Sequence, residues 1–478
     1  MAYVIGREEE KYLFGQCLES EKPEFLAVFG RRRVGKTFLI REYFKQQFAF
    51  YLTGVENVGK QQQLKNFNSA LHEYGKTYYP VVHSWFDAFA QLRHLLEKSK
   101  RRGKKVIFID EMPWLDTPRS RFIQALEYFW NSWASANPDI LLIVCGSSTS
   151  WMMNKLIKNR GGLHNRVTRQ ISIEPFTLQE CEEFLKHHKI VFNRKQIVEC
   201  YMIMGGIPYY LEQLNKSISL SQNIDNLFFK RKGSLRQEFK KLYASLFKNS
   251  ERYVKIVEAL GKKRKGLTRE EIIAESGFTD GGTLTAMLEE LEQCSFIRSY
   301  NAYEKKTKDA LYQLIDFYSL FYLNFIKDAR QTDEHFWTNL IDNAKHRAWS
   351  GYAFEQVCMQ HTAQIRQKLG ISGVLTYSAA WRSKNSEPAA QIDLLIDRND
   401  GVINLCEMKY AANEFVIDKN QDEILRKKVS AFINETKTRK AVHITMVTTY
   451  GVKRNEYWGN IQSEVTMNDL FTTSLRFL

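Results

Sequence analysis

Apolar residues fall into two kinds of run along this chain. Short unbroken runs, Phe25 to Phe29, Val106 to Ile109 and Ile140 to Cys145, are bounded by charged or small residues. Runs of this kind read as buried parallel strands. Phe48 to Thr53 is a further strand-like stretch. Between these, residues 60–99 and 119–136 have helical spacing, the second with Trp130 and Trp133. Strand and helix thus alternate through residues 1–175, the signature of an α/β layer structure. Residues 176–220 read as helical, with a break at Gly205-Gly206-Ile207-Pro208. The glycine-proline pair is punctuation, and it predicts a new helix with Pro208 in its first turn.

The pattern changes again after residue 246. Tyr253 to Leu260 predicts a helix, and Thr268-Arg-Glu-Glu271 is a capping box that opens a second one, ended by Gly277. Thr279 or Asp280 is expected to cap a third, with Leu284, Met287, Leu288 and Leu291 on one face. Two strand-like runs, Phe296 to Tyr300 and Ala310 to Ile315, flank a polar tip at Glu304–Lys308. This is the order of a winged helix-turn-helix, and it equally suits a packing module between domains. The third helix carries Glu289, Glu290 and Glu292 and no Lys or Arg, so any DNA contact is expected through the wing and the basic stretch before it. The aromatic run 311–327 is expected to pack between domains. Residues 326–478 read as a separate α/β domain, so the expected boundaries are 1–175, 176–245, 246–325 and 326–478.

Composition narrows the class. The 478 residues carry a net charge of +15, which favours polyanionic partners. Thirteen Lys and Arg against three Glu lie in residues 230–265 alone. Seven scattered cysteines with no C-x-x-C and ten histidines without zinc spacing predict a reduced, cytoplasmic protein with no structural metal. No membrane-spanning run is expected.

The first candidate chemistry sits where the first strand ends. Gly30-Arg31-Arg32-Arg33-Val34-Gly35-Lys36-Thr37 is G-x-x-x-x-G-K-T between a strand and a helix. Glycines let backbone N–H groups curl around phosphate oxygens, and the helix N-terminus adds its positive end. Lys36 would reach the β- and γ-phosphates of ATP, and Thr37 would offer a hydroxyl to Mg²⁺. The strand that ends in Asp110-Glu111 supplies a magnesium ligand, Asp110, and a water-polarising base, Glu111. Ser147 or Ser148, after the third buried run, is placed to sense the γ-phosphate. Arg166 and Arg169 are candidates for stabilising charge on the transferring phosphoryl group.

A second constellation lies near the C-terminus. Gln391–Asp397 and Val402–Lys409 flank Asn399-Asp400-Gly401, a hairpin signal. With that turn, 398 faces 402 and Asp393 faces Glu407, with Cβ atoms about 5 Å apart. Lys409 lies two residues on, on the same face. Two such carboxylates suit a divalent cation, with Glu355 on a preceding helix as a third oxygen ligand. Lys409 would activate a metal-bound water. The same pattern also suits a salt-bridged hairpin.

These motifs together resemble a known group. Gly6-Arg7-Glu8, the loop at 30–37, Ile109-Asp110-Glu111, Gly146-Ser147-Ser148 and Gly205–Leu211 look like the archaeal-type ATPase family, related to AAA+ and STAND proteins. The resemblance implies that Pro208 contacts nucleotide from a helical lid. The C-terminal part is similar to a domain often fused to such ATPases, with a PD-(D/E)xK, restriction-endonuclease-like fold matched by Asp393, Glu407 and Lys409. The Pro-Asp pair itself is absent, because Ile392 precedes Asp393. The expected architecture is therefore a multidomain α/β protein. A P-loop αβα ATPase core comes first, followed by a helical lid, a winged helix and a nuclease-like α/β domain. Expected partners are ATP with Mg²⁺, DNA and further copies of the chain. The expected function is an ATP-dependent switch over a metal-dependent DNA nuclease, against a non-catalytic ATP-gated binding or STAND-type signalling scaffold.

Overall fold

Five strands build the first sheet: β1 (Glu24–Phe29), β2 (Phe50–Thr53), β3 (Lys105–Asp110), β4 (Ile140–Gly146) and β5 (Arg169–Ser172). All run parallel, in the order β2-β3-β4-β1-β5. The computed structural model describes residues 4–158, 161–263, 266–300, 303, 310–329, 333–341, 343–383 and 390–473. The polar tip at Glu304–Lys308, and Arg264 and Lys265 of the basic stretch, lie outside the described residues. The chain divides into two compact units, residues 1–174 and 175–478.

Strands β1 and β4 are buried at every residue, because helices cover both faces of a parallel sheet and leave no polar side to alternate with. One face carries a core of Phe25, Phe50, Phe67, Trp85, Phe122 and Trp130 beneath the helices Lys60–Gly75, Trp85–Lys98 and Phe122–Ser132. Register sets the site. Phe29 pairs with Gly146 and Ile109 with Val144, so the carboxyl ends of β1, β4 and β3 lie side by side. Ligands bind at that edge of an open α/β sheet.

The second unit opens with helices Leu178–His187 and Arg194–Met204, each begun by a capping box. Pro208 takes the first position of a short helix, Pro208–Leu211, as its fixed φ favours. Then come Ser250–Lys262, β6 (Leu267–Thr268), Arg269–Ser276, Gly282–Gln293, β7 (Ile297–Tyr300) and β8 (Leu311–Leu314), with sheet order β6-β8-β7. The Thr268–Glu271 capping box is formed and Gly277 closes its helix in the left-handed region. The next helix is not capped by Thr279 or Asp280. It begins after Gly281, because Asp280 accepts from Arg269 Nε at 2.8 Å and that ion pair draws its carboxylate away.

The last sheet is mixed, in the order β13-β12-β11-β10-β9, from β9 (Thr376–Arg382), β10 (Gln391–Arg398), β11 (Val402–Lys409), β12 (Ala441–Thr448) and β13 (Ser463–Thr466). β9, β10 and β11 are antiparallel neighbours, whereas β11 to β12 is parallel and needs a crossover, supplied by the helix Lys419–Thr436. Among the described residues, no helix is long and apolar enough to cross a membrane. All seven cysteines are buried.

A buried histidine joins the start of this unit to its later helices. The His361 ring accepts from the Leu178 N–H at Nε2 (3.1 Å) and donates from Nδ1 to the Val357 carbonyl (2.8 Å). Only a neutral ring can do both. Burial pushes its pKa down from 6.5 to about 4. The folded pKa is the lower one, so this stabilisation is present above 6.5 and is lost as pH falls through about 4. In urea unfolding, His361→Gln should lose about 1–3 kcal/mol at neutral pH. It should also flatten the acid limb between pH 6.5 and about 4 relative to the parent chain.

Candidate functional site

Two glycines shape the loop between β1 and the helix Lys36–Tyr43. A Cβ on Gly30 would stand 2.4 Å from the Ile173 carbonyl oxygen, and Gly35 has φ +88°, so both positions require glycine. No side chain caps the helix at Gly35, which leaves its first N–H groups for a ligand. Lys36 is buried and donates from Nζ to the carbonyls of Gly30 (2.9 Å) and Arg31 (2.8 Å), folded back over its own loop. Arg31 and Val34 are buried, while Arg32 and Arg33 are half-buried, Arg33 at φ +73°.

The neighbouring strand ends meet this loop. Thr37 Oγ1 lies 3.1 and 3.0 Å from the two carboxylate oxygens of Asp110. Burial, and then the charge of Glu111, push the Asp110 pKa up to about 6. A hydroxyl and a crowded carboxylate are hard oxygen donors that suit Mg²⁺, and a cation there would relieve the buried charge. Glu111 stands in the left-handed region at φ +44°, an uncommon state for a side chain of its size. Its Oε2 accepts from the N–H (3.2 Å) and the hydroxyl (2.9 Å) of Ser147 at the end of β4. Thr37, Asp110, Glu111 and Ser147 thus form one connected edge.

Arg7 belongs to the Gly6-Arg7-Glu8 stretch named from sequence, but its bond to the loop has no sequence signal. Its Nη2 donates to the Val34 carbonyl at 3.2 Å, tying the entrance of the chain to the middle of the loop. Arg169 begins β5 opposite Leu26, below the loop, and donates to Gln16 at 3.1 Å; Arg166 is exposed in a turn. In this arrangement Arg169 is committed to the amino half of the sheet, away from the phosphate edge.

The second unit gathers its own charged cluster. β10 and β11 pair from Asp397–Ile403 to Leu394–Cys406, and the same register carried one pair on sets Asp393 opposite Glu407. Between β9 and β10 the register shifts: Trp381 pairs with Ile392 and Ala379 with Leu395. Asp393 and Leu394 together therefore face Ala380 alone, a bulge of the kind that re-aims side chains beside sites. Glu407 Oε1 meets Lys409 Nζ at 2.9 Å, and Oε2 meets Lys428 Nζ at 2.6 Å. Burial opposes the ionised form of Glu407, but Lys428 and Lys409 outweigh it and hold its pKa low. Burial likewise opposes charge on Lys409, and Glu407 raises its pKa in return. For Glu355, burial and then the charges of Asp393 and Glu407 push the pKa up to about 8.

Lys428 was missed because it enters from the crossover helix, 21 residues after Glu407. The expected ligands Glu355, Asp393 and Glu407 influence one another electrostatically. Among the described residues, however, no three of His, Cys, Asp or Glu form a set that could hold a metal ion. Both oxygens of Glu407 are already taken by lysines, so the donor set does not fit a three-carboxylate cage in this arrangement. Lys428→Ala should lower the stability of the second unit by about 1–3 kcal/mol in urea unfolding and raise the Glu407 pKa, since one charge-assisted bond to a buried carboxylate is lost.

Comparison with known proteins agrees with the first site. Residues 5–214 match a family described as an ATPase domain predominantly from Archaea. The uncharacterized protein MJECL04 of Methanocaldococcus jannaschii is 25% identical over 410 residues, 85% of this chain and 87% of that protein. Among solved structures, a Walker-type ATPase of Pyrococcus abyssi, PABY2304, aligns over 67% of this chain and 96% of its own, at 20% identity and a TM-score of 0.48. The Aeropyrum pernix ORC2 protein, solved with ADPNP and ADP, aligns over 67% and 94%, at 11% identity and a TM-score of 0.41. The parallel strand order and the glycine loop lie within the residues that match this ATPase domain family.

Proposed function

We propose that this protein is an ATP-operated switch whose second unit carries a nuclease-like phosphodiester site. The carrying observation is the connected edge Thr37–Asp110–Glu111–Ser147 beside the glycine loop at residues 30–37. Lys36 and the loop N–H groups, from Gly30 through Arg31, Arg32, Arg33, Val34 and Gly35, hold the β- and γ-phosphates. Thr37 and Asp110 hold Mg²⁺, which supplies charge neutralisation on the phosphates when bound. Glu111 orients the attacking water once Ser147 turns from it to the γ-phosphate. Pro208 belongs to a helical lid, residues 176–245.

For the second unit, residues 246–325 serve as a winged helix and 326–478 as a restriction-endonuclease-like domain. Asp393, Glu407 and Lys409, on facing strands with Glu355 behind them, support a site for the backbone of DNA. Glu407 locked between two lysines favours a second reading, a silent C-terminal domain that holds DNA or a partner protein without cutting.

Two assays test these readings. ATP turnover should fall at least about a hundredfold in Glu111→Gln, as expected for loss of a general base, with nucleotide still bound, whereas Lys36→Ala should lose nucleotide binding. Unchanged turnover in Glu111→Gln would remove Glu111 from the reaction. Plasmid cleavage with Mg²⁺ or Mn²⁺, with and without ATP, should vanish in Lys409→Ala and change in Lys36→Ala. Binding without cleavage in the parent chain establishes the silent reading.

A further inference from the structure

Arg298 stands on β7, in the small three-stranded sheet. Its guanidinium has an unusual set of partners. Nε and Nη2 both donate to Oε1 of Gln313 on β8, Nε at 3.0 Å. Nη2 also lies 2.8 Å from Met359 Sδ, and Cζ is 5.7 Å from the centre of the Tyr300 ring. Gln313 donates onward to the Tyr352 hydroxyl at 3.2 Å. Every one of these partners is neutral. Among the described residues no carboxylate forms an ion pair with Arg298, and Nη1 has no partner. The residue is half-buried, and desolvation lowers its pKa. A guanidinium drawn out of water without an anion is expensive, and its planar fork is suited to carboxylate or phosphate.

The surroundings fix where this fork lies. Tyr352 and Met359 flank Glu355 on the helix Ala344–Gln360, three residues before it and four after it, so all three share a face. Beyond β7 the chain reaches Tyr303, whose N–H donates to the Ala380 carbonyl at 3.0 Å. Ala380 is the β9 residue that faces the Asp393–Leu394 bulge. The Tyr303 ring packs against Phe432, 5.3 Å between centres, on the helix that also carries Lys428. Asp393 is the carboxylate whose charge acts on the guanidinium. Helix face, bulge and hairpin together bring Arg298 to the rim of the Glu355–Asp393–Glu407–Lys409 cluster.

We propose that Arg298 is a phosphate-gripping residue of this site, its Nη1 edge taking a non-bridging oxygen of a DNA phosphodiester laid across Asp393, Glu407 and Lys409. The proposal rests on the nuclease-like reading of that cluster and adds a residue from a different sheet. The grip is charge-assisted and oriented, whereas Lys409 and Lys428 are both held by Glu407. It also gives the basic chain a fixed point at which a polyanion is positioned.

The test is binding of a short fluorescein-labelled DNA duplex by the full chain in EDTA, so that no strand is cut, across a salt titration. Arg298→Gln should bind about tenfold more weakly, with a log–log salt slope shallower by about 0.9, the loss of one phosphate contact. Arg298→Lys keeps the charge without the fork, so it should keep the slope at intermediate affinity. Gln313→Leu removes a neutral partner and leaves the charge, so it should keep the slope of the parent chain. Equal affinity and slope in Arg298→Gln would overturn the proposal, as would a Gln313→Leu variant that matches it. If Arg298→Gln does not fold, a slope in Arg298→Lys as steep as the parent's with lower affinity supports the grip, and parental affinity overturns it. DNA cleavage by the parent chain with Arg298→Gln unaffected in binding removes this residue alone. A parent chain that neither binds nor cuts DNA removes the underlying reading with it.

Discussion

Charge placed at strand ends, where little water remains, is the constraint on which both units are built. An isolated ion in such a place costs several kcal/mol or shifts its pKa until it is neutral. Each ionisable group here is answered in one of those ways. Lys36 is met by two loop carbonyls, Asp110 by Thr37, and Glu111 by Ser147. Glu407 is met by two lysines, and His361 gives up its charge altogether. Under the proposed function, the partners around the loop are internal stand-ins that a nucleotide would replace: phosphate oxygens for the carbonyls at Lys36, and a cation for the hydroxyl at Asp110. The folded chain is thus arranged to exchange one satisfied set of contacts for another.

The two sites differ in how that exchange is set. At the loop, each bond to be broken joins one ionised group to a neutral partner, worth about 1.5–3 kcal/mol net. At Glu407 both partners of each bond are ionised, in a partly enclosed setting. The loop groups are held by neutral partners, while Glu407 in the second unit is held by its own lysines.

Much of the loop site was legible because its chemistry is local. Gly30, Gly35, Lys36 and Thr37 lie within eight residues, and the runs ending at Asp110 and Gly146 announce the strands that flank them. The facing of Asp393 and Glu407 was legible for the same reason, since a short turn fixes hairpin register. The missed residues arrive through tertiary routes. Lys428 comes over a parallel crossover and Arg298 from another sheet, and no spacing rule links them to their partners. The bulge at Asp393 depends on the pairing of β9, which the hairpin pattern does not contain. The cap at Gly281 shows a local signal overridden, because Asp280 was claimed by Arg269.

Tyr303 has a consequence for how the second unit was assembled. Its ring joins the cluster of Trp381, Ile392, Leu395 and Phe432, and its hydroxyl donates to Asp397 at 3.4 Å. A residue that follows β7 thus serves as core for a sheet that begins more than seventy positions later. A fragment starting after the small sheet would lose an aromatic wall and expose the strands that wall covers. The helix–helix–hairpin segment and the five-stranded sheet are therefore one inheritable piece. Recombination that separated them would leave a hole in the descendant's interior, so exchange of modules along this lineage is expected to cut before residue 175 rather than at 326.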